Sequence, residues 1–306
     1  MAEEFKHYTV MKNEAVEGLL PRDGLIYLDG TLGGGGHSEL LAQKISPNGR
    51  IIAFDIDDDA INFAKKRLEP YKNVTIVKCG YQNFEEVLSK LNIEKITGGM
   101  LLDLGASYYQ LTSKTRGFSF LADTKLDMRF DNSSDFSAYD LINSYSEDEL
   151  ANVFYYYGEE RYSRRLARNI ASARASKNIE KTSELCEIIK KSLPYKNSRT
   201  NPATRIFQAI RIEVNGELKN IEQTLKKVVP FLEKGARISV ITFHSLEDRI
   251  VKKIFKEFSS EINLPEGGST KKILELVNKK PILPASDEII ENPPSRSAKL
   301  RIAQKI

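Results

Sequence analysis

Residues 28–38 read LDGTLGGGGHS, in which four consecutive glycines, Gly33, Gly34, Gly35 and Gly36, follow an acid and precede His37 and Ser38. Glycine adopts positive φ freely and lets a ligand approach the backbone, and a helix opening beyond such a loop presents unpaired N–H groups. That combination suits a nucleotide-like cofactor, with a plain flexible turn as the alternative on the glycines alone. Asp55 lies 22 positions after Gly33, a spacing at which a carboxylate can accept hydrogen bonds from both hydroxyls of a ribose. Loop and acid together point to an adenosine-type group better than either does separately. Capping of the following helix is the competing role for Asp55, and Asp57, Asp58 and Asp59 are available for it. If Gly33 and Gly35 begin a dinucleotide fingerprint, its third glycine falls on Ser38, so no pyrophosphate pattern remains.

The elements that must position these residues alternate in type. Leu25 to Leu28 read as a buried strand entering the loop, and Ser38 as the cap of the helix leaving it. Arg50–Asp55 is a second strand, with Asp58 or Asp59 capping a helix through Leu68, and Val74–Lys78 is a third. A helix starts at Asn83, and 99–104 is a fourth strand that ends on Asp103-Leu104. Strand and helix signals of this length imply βαβ units and a parallel sheet, with ligands at the carboxyl ends of the strands. From about Tyr108 to Arg199 no convincing buried strand occurs; helices are expected near 146, over 158–177 and over 182–193. Helical stripes resume after Pro202, followed by a fifth strand over 237–243, a helix over 245–258, a polar loop over 265–269, an edge strand near 281–283 and a final strand over 298–303. The expectation is a discontinuous α/β fold: a sheet domain in two parts, 1–107 and 201–306, interrupted by a helical insertion over 108–200 that reads substrate.

Composition is that of an ordinary globular chain, 306 residues and 41% hydrophobic. No apolar run approaches the roughly 20 residues that span a bilayer, and the first ten residues lack the pattern of a signal peptide, so no membrane association and a cytoplasmic location are expected. Cys79 and Cys186 stand apart, and with His7, His37 and His244 as the only histidines no metal centre is expected. The formal charge of +4 permits an anionic partner without requiring one.

The remaining chemistry is less determined by spacing. Asp29-Gly30 followed by clustered glycines resembles the first motif of S-adenosylmethionine-dependent methyltransferases, where Asp29 would face the methionine ammonium and His37 the cofactor carboxylate or a neighbouring backbone group. Tyr81, after the third strand, either stacks on adenine or packs in the core. His244 sits at the binding edge of the fifth strand, either to touch substrate or to cap a helix. Cys79 lacks the Pro-Cys context of a thiolate that attacks a pyrimidine ring, which disfavours carbon-5 chemistry. Arg161, Arg164, Arg165 and Arg168 recur at helical spacing, with Lys190, Lys191, Lys196, Arg199 and Arg205 downstream and Tyr155, Tyr156, Tyr157 and Tyr162 nearby. Such a set serves single-stranded or looped RNA, or else is a solvated face paired with Glu159 and Glu160.

Several strings coincide in order along nearly the whole chain: His7-Tyr8-Thr9-Val10-Met11, the glycine loop, Asp55-Ile56-Asp57, Leu102-Asp103-Leu104-Gly105-Ala106-Ser107, Arg116-Gly117-Phe118-Ser119-Phe120, Tyr157-Gly158-Glu159-Glu160-Arg161, Pro202-Ala203-Thr204-Arg205, the segment 243–252 and Ser295-Arg296-Ser297-Ala298-Lys299-Leu300-Arg301. Together they resemble the bacterial small-subunit (16S) ribosomal RNA cytosine-N4 methyltransferase family, the MraW type. The resemblance implies a Rossmann-like S-adenosylmethionine-dependent methyltransferase sheet with an inserted helical domain. It implies cofactor contacts at Gly35, Gly36, His37, Asp55, Tyr81, Asp103 and Gln110, and 16S rRNA as partner through the insertion; the residues themselves add Gly33 and Gly34 to the expected cofactor contacts and place Arg161, Arg164, Arg165, Arg168 and Arg205 on the RNA. Asp103 and Ser107 are expected to orient the target amine, with His244 beside them. Tyr108-Tyr109 ahead of Gln110 and Asn201 ahead of Pro202 depart from the family's usual residues. Naked rRNA versus an assembled or partly assembled subunit, and monomer versus homodimer, are left open. Two rival classes are a nucleotide-dependent oxidoreductase on the same sheet and an RNA-binding assembly protein with an idle transferase site.

Overall fold

The structure, a computed structural model, describes residues 8–113, 115–194, 201–261 and 271–306. The sequence readings at His7, Lys196, Arg199 and the loop 265–269 lie outside these. The first elements are α1 (Lys12–Gly18), β1 (Ile26–Asp29), α2 (Gly36–Lys44), β2 (Arg50–Asp55), α3 (Asp58–Leu68), β3 (Val74–Lys78), α4 (Phe84–Lys90) and β4 (Gly99–Asp103). Helices alone follow: α5 (Tyr108–Thr112), α6 (Ala138–Ser144), α7 (Glu147–Tyr156), α8 (Ser163–Arg174), α9 (Thr182–Ser192) and α10 (Pro202–Asn215). Then come α11 (Glu217–Phe231), β5 (Arg237–Thr242), α12 (Ser245–Phe258), β6 (Leu274–Leu276), α13 (Ser286–Glu291) and β7 (Lys299–Lys305).

The chain divides into two compact units, one of residues through Gly105 with Leu218–Ile306, the other Ala106–Glu217. In the first, the sheet order is β3-β2-β1-β4-β5-β7-β6, with β1 to β5 parallel and β7 antiparallel to β5. Strand residues alternate between two cores: Leu28, Ile52, Phe54, Met100 and Leu102 meet side chains of α4, α11 and α12, while Tyr27, Ile51, Ala53 and Leu101 meet those of α1, α2 and α3. Covering both faces is why these strands read as unbroken apolar runs. Strand order reverses between β1 and β4, and in such sheets the crevice at that reversal, outside the carboxyl ends, is where ligands bind.

The second unit is a helical core around Leu141, Phe154, Leu166, Ile170 and Ile189. Its boundary differs from the expected 200/201. The α10 stripe of Ile206, Phe207, Ala209 and Ile210 is buried in this helical core, so the insertion's compact unit runs on to Glu217. Three local expectations are also corrected. Helix α2 opens at Gly36 behind an N-cap Gly35 with φ 77°, because glycine reaches the left-handed region without a side-chain clash; Ser38 lies inside the helix. Asp57, rather than Asp58 or Asp59, caps α3 by accepting the Asp59 N–H at 2.9 Å. The edge strand is Leu274–Leu276, and near 281–283 only Ile282 bridges to Leu300.

Candidate active site

Parallel pairing brings the carboxyl ends of β1, β2 and β4 together, and each ends on an aspartate: Asp29, Asp55 and Asp103. Asp29 is 1% exposed; its Oδ2 accepts from Ser38 Oγ at 2.6 Å and its Oδ1 from the Thr31 N–H at 3.2 Å. Through these two bonds Asp29 braces the glycine loop against the first turn of α2. Burial pushes its pKa up to about 6, against the opposing pull of the Ser38 and Thr31 hydrogen bonds.

Asp55 holds the other side of the loop. Its Oδ2 accepts from Gly33 N–H at 2.8 Å, and its Oδ1 from Ile56 and Asp57 N–H at 2.8 and 2.9 Å. These donors fix the carboxylate's orientation while leaving lone pairs for further donors, since a carboxylate accepts about four hydrogen bonds. Its pKa too is raised to about 6 by burial. Arg67 closes the loop from α3 by donating to Gly34 O at 2.7 Å. The loop's curvature needs glycine at Gly33 and Gly35, where φ is 49° and 77°. Gly35 offers no side chain to accept the first N–H groups of α2, so the helix opens with donors for an anionic group. A Cβ on Gly36 would strike Thr9 Oγ1, and one on Gly30 would strike Leu102.

Asp103 is joined to the loop through Thr31, whose Oγ1 accepts the Asp103 N–H at 2.6 Å. Its Oδ1 is shielded from solvent and has no hydrogen-bond partner among the described residues, whereas Oδ2 lies 3.9 Å from His37 Nδ1. Burial, reinforced by the charges of Asp29, Glu247 and Glu288, holds the Asp103 carboxyl well above the usual range. A shielded acceptor without a donor is expensive to bury, and a carboxyl so placed can take a ligand's donor. His37 is 5% exposed, and its Nε2 is 3.1 Å from Val10 O, which sets Nε2 as the protonated nitrogen. Tyr81 packs half-buried against the core beside Gly30, so the core-packing alternative holds for part of its ring environment.

His244 caps a helix, one of its two expected roles. It is the N-cap of α12, its Nδ1 accepting the Glu247 N–H at 3.4 Å, while Nε2 lies 3.1 Å from Glu247 Oε1 without the alignment of a hydrogen bond. Glu247 is fully buried and accepts from the Phe243 and His244 N–H groups at 2.7 and 3.3 Å. His244 is thereby a bracket for the β5–α12 turn.

Ser107 and Gln110 belong to the second unit, where they form the capping box of α5: Ser107 Oγ accepts the Gln110 N–H at 3.2 Å, and Gln110 Oε1 the Ser107 N–H at 3.0 Å. These bonds are local and shape the start of α5. In the same unit Arg205 lies 3.8 Å from the buried carboxylate of Glu160 and Arg168 lies 3.4 Å from Glu147, whereas Arg161, Arg164 and Arg165 project from the surface. Sequence reasoning missed Thr31, Arg67 and Glu247 as parts of the site. Thr31 lies within the glycine motif and was open to suspicion, but nothing in the chain links Arg67 to Gly34 before folding.

No cluster of His, Cys, Asp or Glu able to hold a metal occurs among the described residues, and none of their helices is long and apolar enough to cross a membrane. The glycine cradle, the donors opening α2 and the partnerless Asp103 oxygen fit a nucleoside carrying an amino acid. The sequence pattern of the MraW methylase family matches residues 4–306. The chain is 46% identical over 310 residues to the Ribosomal RNA small subunit methyltransferase H of Clostridium botulinum, covering 99% of this chain and 100% of that protein. Proteins of the same name from a Paenibacillus species and Clostridioides difficile are 46% and 45% identical, each over 99% of this chain and 100% of theirs.

Proposed function

Because the chain belongs to the MraW methylase family, we propose that it transfers the methyl group of S-adenosylmethionine to the exocyclic N4 amine of a cytosine in the decoding region of small-subunit (16S) ribosomal RNA, in the bacterial cytoplasm. The observation that carries this reading to particular atoms is the Asp103 carboxyl at the end of β4, with its shielded, partnerless Oδ1. S-adenosylmethionine supplies the methyl on a positively charged sulfonium.

The loop Gly33 to Gly36 and the N–H groups opening α2 receive the cofactor's amino acid end, with His37 fixing the helix start against Val10. Asp55 accepts the ribose hydroxyls, and Tyr81 lies along the adenine side. Cytosine's amine is conjugated with its ring and a poor nucleophile, so orientation dominates. Asp103 accepts an amine hydrogen and turns the nitrogen lone pair toward the methyl carbon; a near-linear approach at about 3–3.5 Å supplies the proximity contribution. The same carboxyl handles the proton. The positive charge of a bound sulfonium would favour the ionised form of Asp103, and loss of that charge on transfer would return the carboxyl to its raised proton affinity, so that it could take the proton the amine must shed. Base presentation requires the cytosine to be unstacked.

The test is methyl transfer from labelled S-adenosylmethionine to small-subunit rRNA, both free and within small ribosomal subunits, followed by digestion to nucleosides and mass analysis. Labelled N4-methylcytidine is expected; a label on another atom, or none, overturns the reading. Binding of S-adenosylhomocysteine without binding of NAD separates it from the oxidoreductase alternative.

A further inference from the structure

We propose that the α7–α8 turn of the helical unit is a docking surface for single-stranded rRNA, in which Tyr155 and Tyr156 form a base-stacking platform and Arg161, Arg164 and Arg165 hold the adjacent phosphates; this rests on the rRNA reading above. The folded chain discriminates among groups that were equivalent in the sequence. Of the four neighbouring tyrosines, Tyr157 is withdrawn, half-buried against Glu213, which with burial raises its pKa. Tyr155, Tyr156 and Tyr162 remain 55%, 62% and 41% exposed. Tyr155 and Tyr156 stand edge to face with ring centroids 5.2 Å apart.

The cations separate in the same way. Arg205 and Arg168 have acids beside them, Glu160 at 3.8 Å and Glu147 at 3.4 Å. Arg161, Arg164 and Arg165 are exposed and form no ion pair or hydrogen bond among the described residues. Their placement does not serve the helix, because positive charge beside the first turn opposes the helix dipole, and α8 has no acid in that turn and no side-chain cap. Charge complementarity therefore favours a polyanion, and exposed tyrosines beside it favour one whose bases are unstacked.

The turn that carries these groups is held firmly. Fully buried Glu160 accepts the Tyr162 N–H at 2.8 Å, its own N–H donates to Phe154 O at 3.1 Å, and a Cβ at Gly158 would come within 2.7 Å of Phe154 O. Glu159 sits at φ 48°, in the left-handed region. A surface fixed in this way loses little further freedom when a flexible strand settles on it.

The experiment uses the full chain and protein-free small-subunit rRNA, measuring rRNA affinity over a range of salt together with methyl-transfer KM and kcat. Arg164→Gln with Arg165→Gln is expected to weaken rRNA binding and to reduce the log–log salt slope by about 1.4, from about 0.7 for each single-strand phosphate that is no longer neutralised. Tyr155→Ala with Tyr156→Ala is expected to raise the rRNA Kd and KM roughly 5- to 150-fold, from the cost of removing one base stack. Tyr155→Phe with Tyr156→Phe restores them, because stacking needs the ring and not the hydroxyl. S-adenosylhomocysteine affinity and kcat at saturating rRNA stay at wild-type values. Unchanged Kd and salt slope in the arginine and alanine variants overturn the proposal, as does a phenylalanine variant as weak as the alanine one. A defect seen with assembled subunits but absent with free rRNA overturns it in favour of a protein contact. Normal rRNA binding by a wild-type chain that transfers no methyl either to free rRNA or to small ribosomal subunits defeats the functional reading instead, while the binding arm still judges this surface.

Discussion

Asp103 and Asp55 are both raised in pKa by burial, yet their surroundings differ in a way that predicts different phenotypes. Asp55 is held by three backbone N–H groups, and Asp103 keeps an oxygen without a donor. Asp103→Ala is expected to reduce single-turnover methyl transfer by roughly 10²–10⁴-fold, the usual range for a positioned acid–base group. S-adenosylhomocysteine affinity should change only a few-fold and the melting temperature should not fall, because the replaced carboxyl is costly to bury. Near-wild-type turnover would remove Asp103 from its assigned role. Asp55, whose pKa is about 6, is a better acceptor when ionised. Affinity for S-adenosylhomocysteine is therefore expected to rise as pH increases through about 6 and to level off above about 7. Asp55→Asn should weaken binding and flatten that dependence; calorimetric titration on either side of that pKa compares the two, and a wild-type profile that is flat contradicts the assignment.

At the scale of elements, two junctions decide whether the site forms. The first is the opening of α2, where Gly35 has φ 77° and its Cα faces Ala64 and Leu68. Gly35→Ala imposes a left-handed conformation on an L-residue at a cost of about 1–2 kcal/mol, and should lower the melting temperature while weakening cofactor binding. Equal stability with full binding would show that the left-handed cap is dispensable. The second junction ties β7 to α12. Arg301 donates to both oxygens of Asp248 at 2.6 and 3.2 Å, holding that carboxyl below its usual range despite burial, with Lys299 at 3.6 Å from Oδ2. Both partners of this bidentate pair are largely buried, so Arg301→Ala leaves an underpartnered carboxylate and should cost roughly 3 kcal/mol. Urea denaturation measures it; a loss under about 0.5 kcal/mol, roughly that of an exposed pair, would show that the junction is held by packing alone.

For the whole molecule, buried carboxyls with raised pKa values set how stability depends on pH. Asp29 has a folded pKa of about 6 against an ordinary value of 3.8, so the folded protein binds a proton that the unfolded chain releases between those values. Its contribution is favourable at low pH and is lost as pH rises from about 4 to 6. A move of that size corresponds to about 3 kcal/mol. Without cofactor, the wild-type melting temperature is expected to fall between about pH 4 and pH 6 more steeply than that of Asp29→Asn, which has no proton to lose. Parallel curves for the two proteins would remove Asp29 as the source. Adding S-adenosylmethionine should raise the melting temperature by mass action, the more so at the higher pH, where Asp55 is ionised.

The strands were legible because burial on both faces of a parallel sheet demands apolar runs, so Ile51, Ile52, Ala53 and Phe54 announce β2 wherever they occur. The glycine loop and Asp55 were legible for a related reason: positive φ at Gly33 and Gly35, and an acid one strand later, are local requirements written in residue type and spacing. Partnership was not legible. The chain alone treats Arg164 and Arg205 alike, or Tyr156 and Tyr157, and it offers both Asp29 and Asp103 to a ligand. Only folding gives Arg205 to Glu160 and Tyr157 to Glu213, encloses Asp29 between Ser38 and Thr31, and leaves one oxygen of Asp103 without a donor. Residue type and spacing determined the sheet and the kind of ligand its loop can hold. Tertiary structure decided which polar groups are consumed internally and which are left over, because hydrogen bonds and ion pairs are allotted by distance in space, which separation along the chain does not specify.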